Sequence, residues 1–261
     1  AHRDLFLNDS GNVVPGMSLF SRAGSGVPGT VDGLIRALAD HGSGNITLRQ
    51  ALAPAIRLAE KGFELSHYEA RRFNGYEGLF QSNDAAAAIF IRKNNNPWKK
   101  GDKLVQRDLA KTLKRISKYG RDGFYTGPVA DLIVAEMKRG NGLISLEDLK
   151  NYSSVYRDPV SGTYKGHEVI SMGPPSSGGA LLVNMMNMLE NYPVDSLGWN
   201  SSDYIHLLTE VERRAYADRA EHMGDSDFWD VPVGMITSKE YATHRISDIN
   251  LEKATPSEAV S

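Results

Sequence analysis

The sequence predicts an α+β chain that is mainly helical, with only a few short strands. Two observations carry this. Apolar residues recur at three- and four-residue spacing in segment after segment, each closed by a glycine or a change of composition. Ser/Thr-x-x-Glu/Gln/Asp tetrapeptides also open three of those segments, which is how a helix satisfies its first orphan N–H groups.

Residues 1–29 read as loop, with a turn cluster at Asn8–Asn12 and breaks at Gly24, Gly26, Pro28 and Gly29. A helix begins at Thr30, with Val31, Leu34, Ile35 and Leu38 on one face and Gly42 as its stop. The Thr47–Gln50 capping box opens the next, in which Leu52, Ile56 and Ala59 keep helical spacing up to Gly62. Pro54 lies inside it and is expected to kink or restart it. Ser66–Glu69 is a second box, leading through Arg71 and Phe73. Ala85–Ile91 is a strand or a short helix, and Ile89-Phe90-Ile91 favours strand. Asn94–Pro97 is predicted as a turn.

Leu109, Leu113 and Ile116 mark another helix. Pro128, in a first turn, opens the one carrying Val129, Leu132, Ile133 and Met137, stopped by Gly140. Ser145–Asp148 is the third box, with Asp in place of Glu. Tyr164–Met172 reads as a strand. It leads into Pro174-Pro175-Ser176-Ser177-Gly178-Gly179, an extended entry, a tight turn and the start of a helix at Ala180–Val183. The last long helix spans about Ser202–His222. Tyr204, Ile205, Leu208, Val211, Ala215 and Tyr216 form its apolar stripe, and Glu210, Glu212, Arg213, Arg214, Asp218 and Arg219 its pairing charges. From Ala254 on the chain is a polar loop.

At 261 residues the chain can form one large domain or two small ones. A net charge of −2, with both signs mixed along the chain, gives nucleic-acid binding no electrostatic support. The longest uncharged apolar run, about Ala180–Leu189, is too short to span a bilayer. The absence of cysteine excludes disulfides, zinc–thiolate sites, iron–sulfur clusters and cysteine nucleophiles. No two of the seven histidines are three or four residues apart, so no zinc pair on one helical turn is expected. The start Ala1-His2-Arg3, without Met or signal peptide, points to a processed chain or a fragment.

Each chemical motif competes with a plainer explanation. Gly24–Gly29 spells G-x-G-x-x-G, but its preceding strand is weak and no acid lies between Gly44 and Ala59 to hold a ribose. Pro28 also removes an N–H, so this is a loop that positions a helix. Ser176 and Ser177 lack the glycine that a hydrolase elbow needs two residues upstream, and no base is identifiable for either. Their turn is read as structural, with the lesser option that hydroxyls or N–H groups of Ser176, Ser177, Gly178 and Gly179 line a site. Ala215–Arg219 is a charge network on a partly buried helix. Gly224–Phe228 lacks the ligands of a calcium loop and is a turn. No metal site is expected.

In order, eight runs resemble the large-subunit portion of the gamma-glutamyltranspeptidase (glutathione hydrolase) family. They are Gly26–Thr30, Pro54–Phe63, Leu104–Ala110, Phe124–Gly127, Gly142–Leu149, Pro174–Gly179, Ala215–Arg219 and Gly224–Phe228. The resemblance implies an N-terminal nucleophile hydrolase: a precursor that cuts itself before a threonine, with an αββα sandwich in the full protein. The freed threonine attacks the gamma-glutamyl amide of glutathione or its conjugates, with its own α-amino group as base, forming an acyl-enzyme. Backbone N–H groups stabilise the oxyanion, and water or an amino-acid acceptor takes the gamma-glutamyl group. No cofactor is implied.

The family's Thr-Thr-His-like run is not found here, and Thr243-His244 is a poor substitute, so the nucleophilic threonine is expected downstream of Ser261. Arg3 does not occupy the position of the family's carboxylate-binding arginine, so no catalytic residue is assigned to this chain. Residues 1–261 are thus expected to be a single large-subunit segment, lacking the N-terminal part and the catalytic small subunit, which is its partner. Periplasmic or extracellular location is implied by the resemblance alone. The rival readings are a related acylase, a poly-gamma-glutamate-processing enzyme and a non-catalytic helical interaction module.

Overall fold

The structure, a computed structural model, describes residues 2–92 and 96–260. The chain divides into two compact units, Ala1–Val155 and Tyr156–Ser261. Among the described residues it is mainly helical, with two antiparallel two-stranded sheets.

In the first unit a loop holds the short helix α1 (Met17–Phe20) and a 3₁₀ turn at Arg22–Gly24. Helix α2 (Thr30–His41) ends at Gly42 as the sequence predicts. Of its predicted apolar face Val31, Ile35 and Leu38 are half-buried, with Val31 packed on the core, but Leu34 is 66% exposed and Asp32 is buried in its place. Asp32 turns inward because its carboxylate finds donors there, the Arg121 Nε at 2.9 Å and the Ser154 N–H at 2.7 Å. Burial opposes that charge, but the Ser154 and Arg121 bonds outweigh it and hold the carboxyl below its usual range.

Helix α3 (Leu48–Lys61) opens on the Thr47–Gln50 capping box and runs continuously through Pro54, without the expected restart. It stops at Gly62, where φ is +79° and a Cβ would lie 2.8 Å from the Leu104 carbonyl oxygen. Strand β1 (Phe63–Glu64) follows. Helix α4 (His67–Gly75) carries the second capping box, and α5 (Glu77–Gln81) follows it.

Residues 84–90 form helix α6 (Asp84–Phe90), overturning the strand preference at Ile89–Ile91. Three local terms outweigh β-propensity. The Asn83 side chain caps the Ala86 N–H, four alanines follow, and the helix seats Phe90 with its centroid 5.0 Å from Phe80 and 5.4 Å from Phe73. Trp98 Nε1 then donates to the orphan carbonyl of Phe90 at 2.6 Å. The turn predicted at Asn94–Pro97 falls half outside the described residues, which resume at Asn96.

Strand β2 (Lys103–Leu104) pairs with β1, placing Leu104 opposite Phe63. Helices α7 (Arg107–Tyr119), α8 (Asp122–Tyr125), α9 (Gly127–Arg139) and α10 (Leu146–Asn151) complete the unit, the last on the third capping box. Tyr125, Ala130, Val134, Met137, Ile144 and Leu149 form its main core. The glycine-rich loop feeds that core: Tyr125 Oη donates to the Pro28 carbonyl at 2.5 Å, and Gly29 leaves no room for a Cβ beneath Tyr152. The loop therefore positions α2, as its sequence suggests.

The second unit begins with a hairpin, not the single strand predicted at Tyr164–Met172. Strands β3 (Val160–Tyr164) and β4 (His167–Ser171) pair from Val160↔Ser171 to Tyr164↔His167. Lys165 and Gly166 both take positive φ, 46° and 80°, which is the twist a two-residue hairpin turn requires. Helix α11 (Gly178–Leu189) packs on the hairpin, with Gly162 beneath Val183. The long helix α12 (Ser202–His222), then α13 (Val233–Ile236) and α14 (Lys239–Arg245), close a core of Leu181, Met188, Leu207, Val211, Ala215 and Ala242.

Candidate functional site

The Pro174–Gly179 turn joins the end of β4 to the start of α11. The Pro174–Pro175 peptide is cis. Ser177 occupies the N-cap position with helical backbone angles, and its side chain makes no capping bond. Ser176 Oγ instead accepts the Gly178 N–H at 3.3 Å. A Cβ on Gly179 would stand 2.1 Å from the Met172 carbonyl oxygen, so the glycine lets the helix begin directly on the end of the strand. This leaves the first helical turn without a side-chain cap from Ser177, in a segment whose two serines are both partly exposed.

Ser177 Oγ accepts a hydrogen bond from Arg219 Nε at 3.1 Å. A guanidinium has no acceptor and keeps its proton, so this contact cannot deprotonate the hydroxyl. Among the described residues neither Ser176 nor Ser177 has a carboxylate or imidazole as hydrogen-bond partner. Chemically, the arrangement offers hydroxyls, helix-terminal N–H groups and one guanidinium. Such groups are of the kind that can bind anionic or carbonyl groups, and none of them is a base for either hydroxyl.

Behind the turn, α12 presents a buried face that differs from the predicted stripe. Leu207, Glu210, Val211, Arg214, Ala215 and Asp218 are buried, whereas Ile205 and Tyr216 are exposed. Of the six charges predicted to pair at helical spacing, Glu210, Arg214 and Asp218 are interior, Arg213 is half-buried, and Glu212 and Arg219 are exposed. Glu210, Arg214 and Asp218 recur every four residues beside Val211 and Ala215, and that shared spacing was the signal for an inward polar stripe.

Two linked clusters result. Asp218 accepts from Asn184 Nδ2 at 2.8 Å and Tyr241 Oη at 2.8 Å, and pairs with Arg245 at 3.0 Å. Burial, and then the bond to Asp218, push the Tyr241 phenol up to about 12. Arg214 donates to Glu210 Oε2 at 2.7 Å and makes a fork on Asp248 Oδ1 at 2.7 and 3.0 Å. Glu210 also pairs with Arg213 at 2.5 Å and accepts the Thr255 N–H at 2.8 Å, anchoring the polar tail. Asn184, Tyr241, Asp248 and Thr255 had no periodic signature and were missed in the sequence. At Gly224–Phe228 the Phe228 and Trp229 N–H groups both donate to the Asp225 carbonyl, and Asp227 pairs with Arg157 at 2.6 Å, so the segment is a turn.

Glu210 gives a pH prediction. Burial opposes its charge, but bonds from Thr255 and Arg214 and the Arg213 charge outweigh burial and hold the carboxyl at about 2, against a usual 4.5. A depressed folded value contributes stability that is complete above about pH 4.5 and is lost as pH falls towards 2. The gap corresponds to about 3 kcal/mol for a side chain 1% exposed. Denaturation midpoints from pH 6 to pH 2 are expected to fall, and Glu210→Gln to start lower and respond less. Equal slopes in the two proteins would refute the assignment.

A family model described as Gamma-glutamyltranspeptidase matches residues 1–261. The chain is 42% identical, over its whole length, to 44% of a glutathione hydrolase proenzyme of Escherichia coli strain K12. It is 38% identical, over 87% of its length, to 40% of the acylase ACY 1 proenzyme of Pseudomonas sp. strain SE83. A solved gamma-glutamyltranspeptidase of Helicobacter pylori superposes with a TM-score of 0.93 at 41% identity, covering 100% of this chain and 74% of that one. The chain thus spans less than half the length of the curated relatives it matches.

Proposed function

The chain belongs to the gamma-glutamyltranspeptidase family, and on that premise we propose that it is the large-subunit framework of an enzyme that cleaves gamma-glutamyl amide bonds. The observation that carries this is the uninterrupted family match along the chain, with relatives named as proenzymes. The framework supports a catalytic small subunit cut from the same precursor, and together they form an αββα sandwich. The nucleophile is the threonine freed by that cut, downstream of Ser261. Its hydroxyl attacks the amide carbonyl while its own α-amino group takes the proton. The amine leaves, and water or an amino-acid amine then resolves the acyl-enzyme. Glutathione and its conjugates are the substrates, and the site of action is periplasmic or extracellular. The Ser176–Gly179 turn lies beside the substrate, presenting hydroxyls and helix-terminal N–H groups.

This reading is consistent with the local chemistry, since among the described residues neither serine of the turn has a carboxylate or imidazole partner to take its proton. The acylase relative favours a second reading, in which the same framework serves a different amide side chain. The test is turnover of a gamma-glutamyl anilide and of a cephalosporin side-chain amide. The full-length precursor is expected to process itself and hydrolyse the anilide faster, while residues 1–261 alone show none. Turnover by residues 1–261 alone, after exhaustive purification, would refute the framework role. Preference for the cephalosporin amide would select the acylase reading.

A further inference from the structure

Helices α3 and α7 of the first unit concentrate charge in a way the rest of the chain does not. Together they carry eight cations and two carboxylates, in a protein whose net charge is −2. Between them opens a cavity of about 680 Å3. Its rim holds Arg49, Arg57 and Lys61 from α3 and Lys114 and Lys118 from α7, with Glu60 as the one carboxylate in the lining. Both carboxylates of the helix pair are already engaged: Glu60 pairs with Lys114, and Asp108 with Lys111 at 2.8 Å.

The spacing is unfavourable for a surface that meets only water. Arg57 and Lys61, Lys114 and Lys118, and Lys111 and Arg115 are like charges four residues apart on one helix, an arrangement that repels. Helix α12 shows the ordinary alternative, with acids and bases interspersed and paired. A concave basic site of this volume matches a small ligand, and guanidinium forks at Arg49 and Arg57 suit carboxylate or phosphate oxygens. Ser117 adds a hydroxyl to the lining.

We propose that the α3–α7 groove is a binding site for a small multivalent anion, of the polyphosphate or polycarboxylate class. It uses no residue of the Pro174–Gly179 turn and does not depend on the gamma-glutamyl reading. One negative charge meets Arg57 and Lys61, and a second meets Lys118 across the groove, relieving the repulsion within each helix.

The test is calorimetric titration of the full-length protein with pyrophosphate and, separately, citrate, at ionic strength held constant with sodium chloride. Saturable binding of either probe is expected, at least about tenfold weaker in Arg57→Gln/Lys118→Gln, the loss expected when two charge-assisted contacts go. Lys253→Gln, an exposed cation elsewhere, is expected to bind as the parent does. Pyrophosphate binding alone assigns a phosphate ligand, and citrate binding alone a carboxylate ligand. Arg49→Gln/Lys61→Gln is the second variant should the first fail to fold by circular dichroism. No saturable binding of either probe, undiminished binding by the groove variants, equal loss in Lys253→Gln, or binding of hexaglutamate alone would each overturn the proposal.

Discussion

Arg214→Ala is expected to destabilise the second unit by about 3 kcal/mol, near the lower end of what breaking a buried ion pair costs. Arg214 is the largest fully buried side chain among the described residues, and it ties Glu210 to Asp248. Truncation removes three of its hydrogen bonds to carboxylates and leaves a cavity in the α12 layer at once. The cost stays near the lower end because Glu210 keeps Arg213 and the Thr255 N–H, and because Asp248 is 63% exposed and can return to water. Urea denaturation of the parent and variant measures it. A loss below about 1 kcal/mol, the range of exposed pairs, would mean that the cluster behaves as a surface network.

The second large effect separates two neighbouring glycines. Gly179→Ala is expected to cost about 1–3 kcal/mol or more, because its Cβ would stand 2.1 Å from the Met172 carbonyl oxygen, and backbone cannot step aside. Helix α11 would have to lift from the end of β4. Gly178→Ala meets only Ser176 Oγ at 3.4 Å, an ordinary contact, and alanine favours the helix, so stability is expected to hold or rise slightly. Thermal and urea midpoints of the two variants decide this, and equal losses at both positions would contradict the packing account. In the full-length enzyme, lower activity of Gly178→Ala at unchanged stability is the outcome expected if the turn flanks the substrate.

Much of the fold could be read locally. The three capping boxes, the glycine stops at Gly42 and Gly62 and the Pro128 start are short-range signals, and the helices they bound stand where those signals put them. The misreadings have different causes, one in packing and one in an uncharacteristic turn. Ile89-Phe90-Ile91 has strand chemistry, yet Phe73 and Phe80 reward a helix at Phe90. Strand β4 is only five residues long, and its partner β3 is offered by a Lys-Gly turn that lacks the usual Asn or Asp.

The candidate site was legible as a turn but not as an environment. Pro174–Gly179 announces its change of direction through proline and glycine, whose backbone limits are intrinsic to the residues. Nothing in the hexapeptide says that Arg219, forty-two positions later, would hold Ser177 Oγ.

By itself, then, the amino-acid order determined most of the longer helices, their capped starts and glycine stops, and the lineage of the chain, because capping, helical spacing and ordered motifs are properties of adjacent residues. Tertiary structure decided where a charge takes an inward position and an apolar residue an outward one, while Val129, Met137, Val211 and Ala215 are buried as their spacing predicts. Leu34 lies outside and Asp32 inside, Ile205 outside and Arg214 inside, because a charge can be buried wherever partners from other helices satisfy it. Hydrophobicity ranks residues one at a time, whereas burial of a charge depends on a set of donors and acceptors that only the folded chain assembles.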